Sequence, residues 1–162
     1  MPAVDANGVR IDCESLGDPQ APAILLIMGL GMQSIAWPDP FCEGLVNDGF
    51  RVVRFDNRDS GLSSRMSGGG SANLMMALAA KWLRLPVPAP YSLDDMADDT
   101  VHLMDALGLA RAHVVGASMG GMIAQLVAIR HPARITSLTS IMSSTGNAAL
   151  ANHLLTRRRG LV

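Results

Sequence analysis

The segment Ala112–Pro132, AHVVGASMGGMIAQLVAIRHP, restricts what this chain can fold into more than any other stretch. Ala112 to Val115 is nearly all apolar and reads as a short buried strand. Gly116-Ala117-Ser118-Met119-Gly120 is a turn of G-x-S-x-G pattern. From Met119 to about Arg130, Ile123, Leu126, Val127 and Arg130 recur at helical spacing, and His131-Pro132 ends the run. A strand, a sharp turn and a helix around a central serine is the setting of a nucleophile elbow.

The chemistry explains the residue types. A serine hydroxyl is a weak nucleophile, and the elbow would lift the Ser118 Oγ clear of the sheet to meet a base and a substrate carbonyl. Strand and helix approach closely beside it, which demands the smallest residues; Gly116 and Gly120 meet that demand. The Met119 amide falls at the helix N-terminus, where an unpaired N–H and the helix dipole favour developing negative charge. A glycine-rich strand–helix turn without chemistry also fits the bare motif. The flanking strand and helix patterns, and the further small residue Gly121, weigh towards the elbow.

At 162 residues the chain has the size of one domain. Half-apolar composition (49%, with 17% charged) fits a well-buried globular core rather than a disordered chain. A net charge of −1 gives no electrostatic case for nucleic acid, and the basic run Arg157-Arg158-Arg159 reads as a solvated terminus. Cys13 and Cys42 have neither metal nor redox spacing and read as reduced core residues. Neither a metal nor a cofactor is expected. No signal peptide or membrane-spanning run is seen, which makes the cytoplasm the expected location and a membrane an unexpected partner.

Along the chain, Asn7-Gly8 predicts a hairpin turn, and Val9, Ile11 and Cys13 alternate with Arg10, Asp12 and Glu14 as in a half-buried strand. Ala23 to Met28 reads as a central strand buried on both faces, breaking into the loop Gly29-Leu30-Gly31. A helix is expected over Pro38 to Asp48 with Phe41, Leu45 and Val46 inward, then a strand over Phe50 to Phe55. The polar turn Asp56-Asn57-Arg58-Asp59-Ser60-Gly61 reads as a hydrogen-bonded brace rather than a set of catalytic charges. Asn73 to Leu85 predicts an apolar helix, either packed on the core or lying over a substrate pocket. Ser92 caps a further helix with Asp95 three residues on. Its buried stripe is Leu93, Ala97, Thr100, Met104 and Leu107, and Asp94, Asp95, Asp98 and Asp99 read as helix-start charges. Ile135 to Met142 is the last strand, and Ala148 to Arg159 a final helix. Alternating strands and helices imply an α/β fold: a mostly parallel central sheet with helices on both faces.

The N-terminal hairpin, ILLIMGLG, FDNRDSGLSS, YSLDDMADDTVHLMDALGLARAHVVGASMGG and HPARITSLTSIMS, in that order, resemble the α/β-hydrolase family over about Ala3 to Asn147. Within it the chain is similar to bacterial esterases of the aclacinomycin methylesterase group, and GASMGGMIAQ to enol-lactonases. The resemblance implies a carboxylic ester or lactone as small-molecule substrate, Ser118 as nucleophile, and the amides of Leu30 and Met119 as the oxyanion hole. Many relatives have His-Gly where this chain, like the methylesterase group, has Met28-Gly29.

The family orders its triad Ser, then Asp or Glu, then His. Here no acid follows Asp105. His102 is expected to point outward, His113 and His131 to lie at the far end of the elbow strand and helix, and His153 at a solvated terminus. The 162 residues are therefore expected to be the N-terminal portion of one hydrolase domain, truncated after about the sixth strand, with the cap and the catalytic acid and histidine elsewhere. The edge left by Ile135 to Met142 would be covered by the rest of the hydrolase, as a further segment or a second chain, or by a homodimer partner. Two rival readings remain: a catalytically incomplete binding or oligomerisation module, and perhydrolysis, carbon–carbon hydrolysis or acyl transfer on the same site.

Overall fold

The computed structural model describes residues 3–66 and 90–146. Strands β1 (Ala3–Ala6) and β2 (Val9–Leu16) form the antiparallel hairpin. Asn7 and Gly8 both adopt positive φ, 51° and 74°, as the tight primed turn requires. Val9, Ile11 and Cys13 are buried as the alternation predicts, but so is Asp12. Its burial follows from the loop after β4 crossing over it: the Ser63 hydroxyl accepts the Asp12 N–H at 2.8 Å.

β3 (Ala23–Ile27) is buried along its whole length, in keeping with its continuous apolar run. It leads through a 3-10 turn (Ser34–Ala36) into α1 (Asp39–Asn47) and β4 (Arg51–Phe55). Phe41 was expected inward on α1, yet it is 41% exposed, and Cys42 is the fully buried residue. Phe41 instead stacks on Trp37 with ring centroids 5.7 Å apart. The turn before the helix supplies a better apolar partner than the sheet does.

α2 (Leu93–Ala106) starts at Ser92 with a complete capping box: the Ser92 hydroxyl accepts the Asp95 N–H, and the Asp95 carboxylate accepts the Ser92 N–H at 2.7 Å. Its buried face is broader than the expected stripe, taking in Met96, Val101 and Leu103, while Leu93 and Leu107 are only partly covered. The helix packs against both the hairpin and the elbow helix, so two of its sides are covered. Asp99 is not a helix-start charge on the surface; it is buried and ion-paired to Arg58.

β5 (Ala112–Ala117), α3 (Met119–Arg130) and β6 (Ile135–Ile141) complete the described fold. The sheet order is β1-β2-β4-β3-β5-β6. β2 meets β4 antiparallel, and β4, β3, β5 and β6 run parallel. One core, with Leu25, Ile27, Val53, Phe55 and Val114, lies under α2 and α3; the other, with Ile24, Leu26, Val52 and Cys42, lies under α1. The sheet is thus covered on both faces, as a parallel sheet must be. After β3 the chain moves to one side to form β4 and then to the other to form β5. The carboxyl ends of β3 and β5 therefore flank a topological switch point, where open α/β sheets bind ligands.

β6 pairs with β5 alone among the described residues, and most of it is exposed. The helices expected over Asn73 to Leu85 and Ala148 to Arg159 lie outside the described residues, as does His153. Among the described residues no helix is long and apolar enough to cross a membrane.

Candidate active site

β5 ends in Ala117, and Ser118 turns the chain into α3 with φ 55° and ψ −120°. A non-glycine residue there carries strain of about 1–3 kcal/mol, which the surroundings must hold in place. They do so from two directions. The Ser118 N–H donates to the Ile141 carbonyl at the end of β6, 2.9 Å away, and the Ser118 carbonyl accepts the Gly121 N–H at 3.0 Å. The backbone is clamped while the residue itself stands exposed.

The helix can start so close to the sheet because glycine stands at Gly120. A Cβ there would run into the Ile27 carbonyl and lie 2.7 Å from the Met28 carbonyl oxygen. Gly29 is confined as well, though less severely. A Cβ on it would lie 3.1 Å from the Ser118 Cβ and 3.5 Å from its Oγ. The loop after β3 thus passes directly over the serine. Leu30, 79% exposed, is the next residue of that loop, and Met119 is the first residue of α3, whose amide has no partner within the helix. Ser118, Leu30 and Met119 all line one cleft of about 500 Å³, with Leu93, Met122 and Met142 as its apolar walls.

The polar turn after β4 braces this loop. The Asp56 carboxylate accepts the Ser34 N–H at 2.6 Å and the Leu62 N–H at 2.9 Å. Asn57 donates its side-chain amide to the Met28 carbonyl at 2.9 Å, and Ser60 donates its hydroxyl to Met32 at 2.9 Å. The loop is therefore tied to the turn at Met28, Met32 and Ser34. Arg58 leaves in the other direction, its guanidinium bound to the buried Asp99 carboxylate at 2.6 Å and lying 5.0 Å from the centre of the Tyr91 ring. Sequence spacing gave no sign of the Arg58–Asp99 pair, because the partners lie 41 residues apart and Asp99 is one of four similar acids. Burial, and then the neighbouring Asp59 carboxylate, push the Tyr91 hydroxyl up to about 12.

The described histidines are all engaged away from Ser118. His102 Nδ1 sits 2.8 Å from the Asp98 carbonyl, His113 Nδ1 2.8 Å from the Ser137 hydroxyl, and His131 Nε2 3.4 Å from the Asp98 carboxylate. Among the described residues no group of histidine, cysteine or acidic side chains is gathered to hold a metal. Cys13 and Cys42 are buried, and burial pushes both thiols up, away from the reactive thiolate form.

The model of the family described as "alpha/beta hydrolase fold" matches residues 22–159. Rhodomycin D methylesterase DnrP of Streptomyces peucetius is 38% identical over 134 residues, 83% of this chain and 39% of that protein. DauP of Streptomyces sp. strain C5, of the same name, is 37% identical over 86% of this chain and 41% of its own length. Among solved structures, the enol-lactonase from Burkholderia xenovorans LB400 superposes with a TM-score of 0.66 at 31% identity, covering 83% of this chain and 44% of that one. The chain spans about two fifths of the length of the curated relatives it matches.

Proposed function

The chain belongs to the α/β-hydrolase family, and from that we propose that it supplies the nucleophile and oxyanion hole of a serine hydrolase acting on a carboxylic ester or lactone. The observation that supports this reading is the placement of Gly29 against Ser118: it sets the loop that carries Leu30 beside the serine, where Met119 begins α3. The Ser118 Oγ attacks the carbonyl carbon, and the two amides receive the charge that forms on its oxygen. Collapse expels the alkoxide and leaves an acyl group on Ser118, which water then hydrolyses to the acid. The serine proton passes to a base from outside residues 3–66 and 90–146, since His102, His113 and His131 are engaged elsewhere. A methylesterase and an enol-lactonase among its similar proteins support an ester or lactone as the substrate class.

A fluorophosphonate probe tests this on the full-length protein. Stoichiometric labelling of Ser118, lost in Ser118→Ala, is the expected result. Folded protein that is not labelled overturns the reading and favours a binding or oligomerisation module. Labelling without ester or lactone turnover favours another reaction on the same serine.

A further inference from the structure

Beside the Ser118 cleft, on the other side of Leu30 and Met119, lies a second, partly enclosed chamber of about 260 Å³. Its walls are the Gly29–Gly31 loop, Tyr91, Met96 and Met119, and Asp59 stands on its lining. Ser118 does not line it. The two hollows share Leu30, Leu93 and Met119, so a substrate whose carbonyl sits at the Leu30 and Met119 amides has one side in each.

Asp59 is the unusual residue here. It adopts φ 62°, a conformation glycine takes without strain, yet the position holds a carboxylate. That carboxylate is exposed, accepts the Met66 N–H at 2.7 Å, stands on the same lining as Tyr91, and keeps acceptor capacity for a further donor. Arg58 also lines the chamber, but its side chain is only 5% exposed and is held by both oxygens of Asp99, which also accepts from Asn7 at 3.0 Å. With Arg58 neutralised by Asp99, Asp59 leaves the chamber with one net negative charge. A cavity of about 150 Å³ holds a benzene ring, so this chamber has room for a substituted six-membered ring.

We propose that this chamber is a specificity subsite that takes a ring bearing a hydrogen-bond donor, a hydroxyl or an ammonium, with Asp59 as the acceptor and Tyr91 holding the Asp59 carboxylate in place. The proposal rests on the hydrolase reading for the attachment of that ring to a scissile carbonyl, but the binding itself does not require turnover. A hydroxylated ring would be recognised by a charge-assisted bond to Asp59, an ammonium by that bond and its charge. A carboxylated ring would be repelled.

The test is calorimetric titration of the full-length protein with cyclohexylamine, cyclohexanol and benzoate, in wild type, Ser118→Ala, Asp59→Asn and Tyr91→Phe. Asparagine tolerates positive φ as aspartate does, so the first Asp59 variant isolates the charge. The expected result is binding of the amine and the alcohol but not of benzoate, kept in Ser118→Ala. Asp59→Asn should weaken the amine about tenfold or more, and Tyr91→Phe should weaken both rings less. In ester turnover, the preference for hydroxylated over plain ring esters should fall in Asp59→Asn by a similar factor. Benzoate binding as well as the amine, or amine binding unchanged in Asp59→Asn and Tyr91→Phe, overturns the subsite. Ring binding as expected in a protein that turns over no ester overturns the hydrolase reading alone. Should Asp59→Asn not fold, Asp59→Gly, suited to φ 62°, gives the same comparison.

Discussion

Arg58 and Asp99 form a buried ion pair, 5% and 4% exposed, that joins the turn after β4 to the middle of α2. Both oxygens of the carboxylate are engaged by the guanidinium, in the two-pronged geometry arginine favours. Because the same turn carries Asp56 and Asn57, the pair ties the loop over Ser118 to the capped helix. Removing one partner leaves a charge buried without its counter-ion. Asp99→Ala is expected to cost about 3–5 kcal/mol, whereas the apolar double variant Arg58→Met/Asp99→Leu should recover most of it. Denaturant unfolding of the three proteins measures the difference; a double variant as unstable as the single one contradicts the account.

Asp56 is the second joint. Its carboxylate accepts two backbone N–H groups, from Ser34 and Leu62, that no other described residue satisfies. Asp56→Ala should therefore destabilise by roughly 2–4 kcal/mol and slow labelling of Ser118 by a fluorophosphonate, because the loop that carries Leu30 loses its anchor. Unfolding curves and labelling rates, taken together, check both halves. An unchanged labelling rate in folded protein would separate the brace from the site.

The elbow and the hairpin were legible because their signals are local. Gly116, Ser118 and Gly120 sit within five residues, and the close approach that demands glycine at Gly116 is made by Gly120 and Gly121 of the same elbow. Asn7-Gly8 likewise contains its whole turn. The roles of Arg58, Asp99 and Asp59 were not legible. A buried acid and a surface acid have the same letter, and only the packing of α2 against the hairpin decides that Asp99 faces inward while Asp94 does not. Phe41 was misplaced for a related reason: periodicity reports one face of a helix but not whether a neighbouring turn, here Trp37, offers it a better partner.

The capping box gives a pH prediction. Hydrogen bonds from the Ser92 backbone, then from its hydroxyl, hold the Asp95 carboxyl below the usual carboxylate range. A group depressed in the folded state adds stability above its unfolded pKa and loses it as pH falls through its folded one. The difference in stability between wild type and Asp95→Asn should be largest at neutral pH and should shrink as pH drops below about 4. Unfolding curves from pH 7 to pH 3 follow it; a difference that stays constant over that range assigns the cap to the hydroxyl alone.

Gly29 and Gly31 separate the geometry of the site from the stability of its loop. Gly31 has φ 69° and open space around it, so Gly31→Ala meets strain but no clash, about 1–2 kcal/mol. Gly29 has no such conformational demand, but its Cβ would press on the Ser118 Cβ at 3.1 Å and the Ala117 carbonyl at 3.3 Å. Those neighbours belong to the strained elbow, which is clamped by Ile141 and cannot give way, so the loop must lift by a few tenths of an ångström. On the proposed mechanism, lifting it moves the Leu30 amide off the point where charge develops, and small misplacements of such groups are costly in rate. Gly29→Ala is therefore expected to fold with a stability near that of Gly31→Ala but to react with a fluorophosphonate about tenfold or more slowly, while Gly31→Ala stays within a few-fold of wild type. The contrast between the two variants, read from labelling rates at matched stability, carries the prediction. Equal rates would mean that the loop after β3 does not set the reactivity of Ser118.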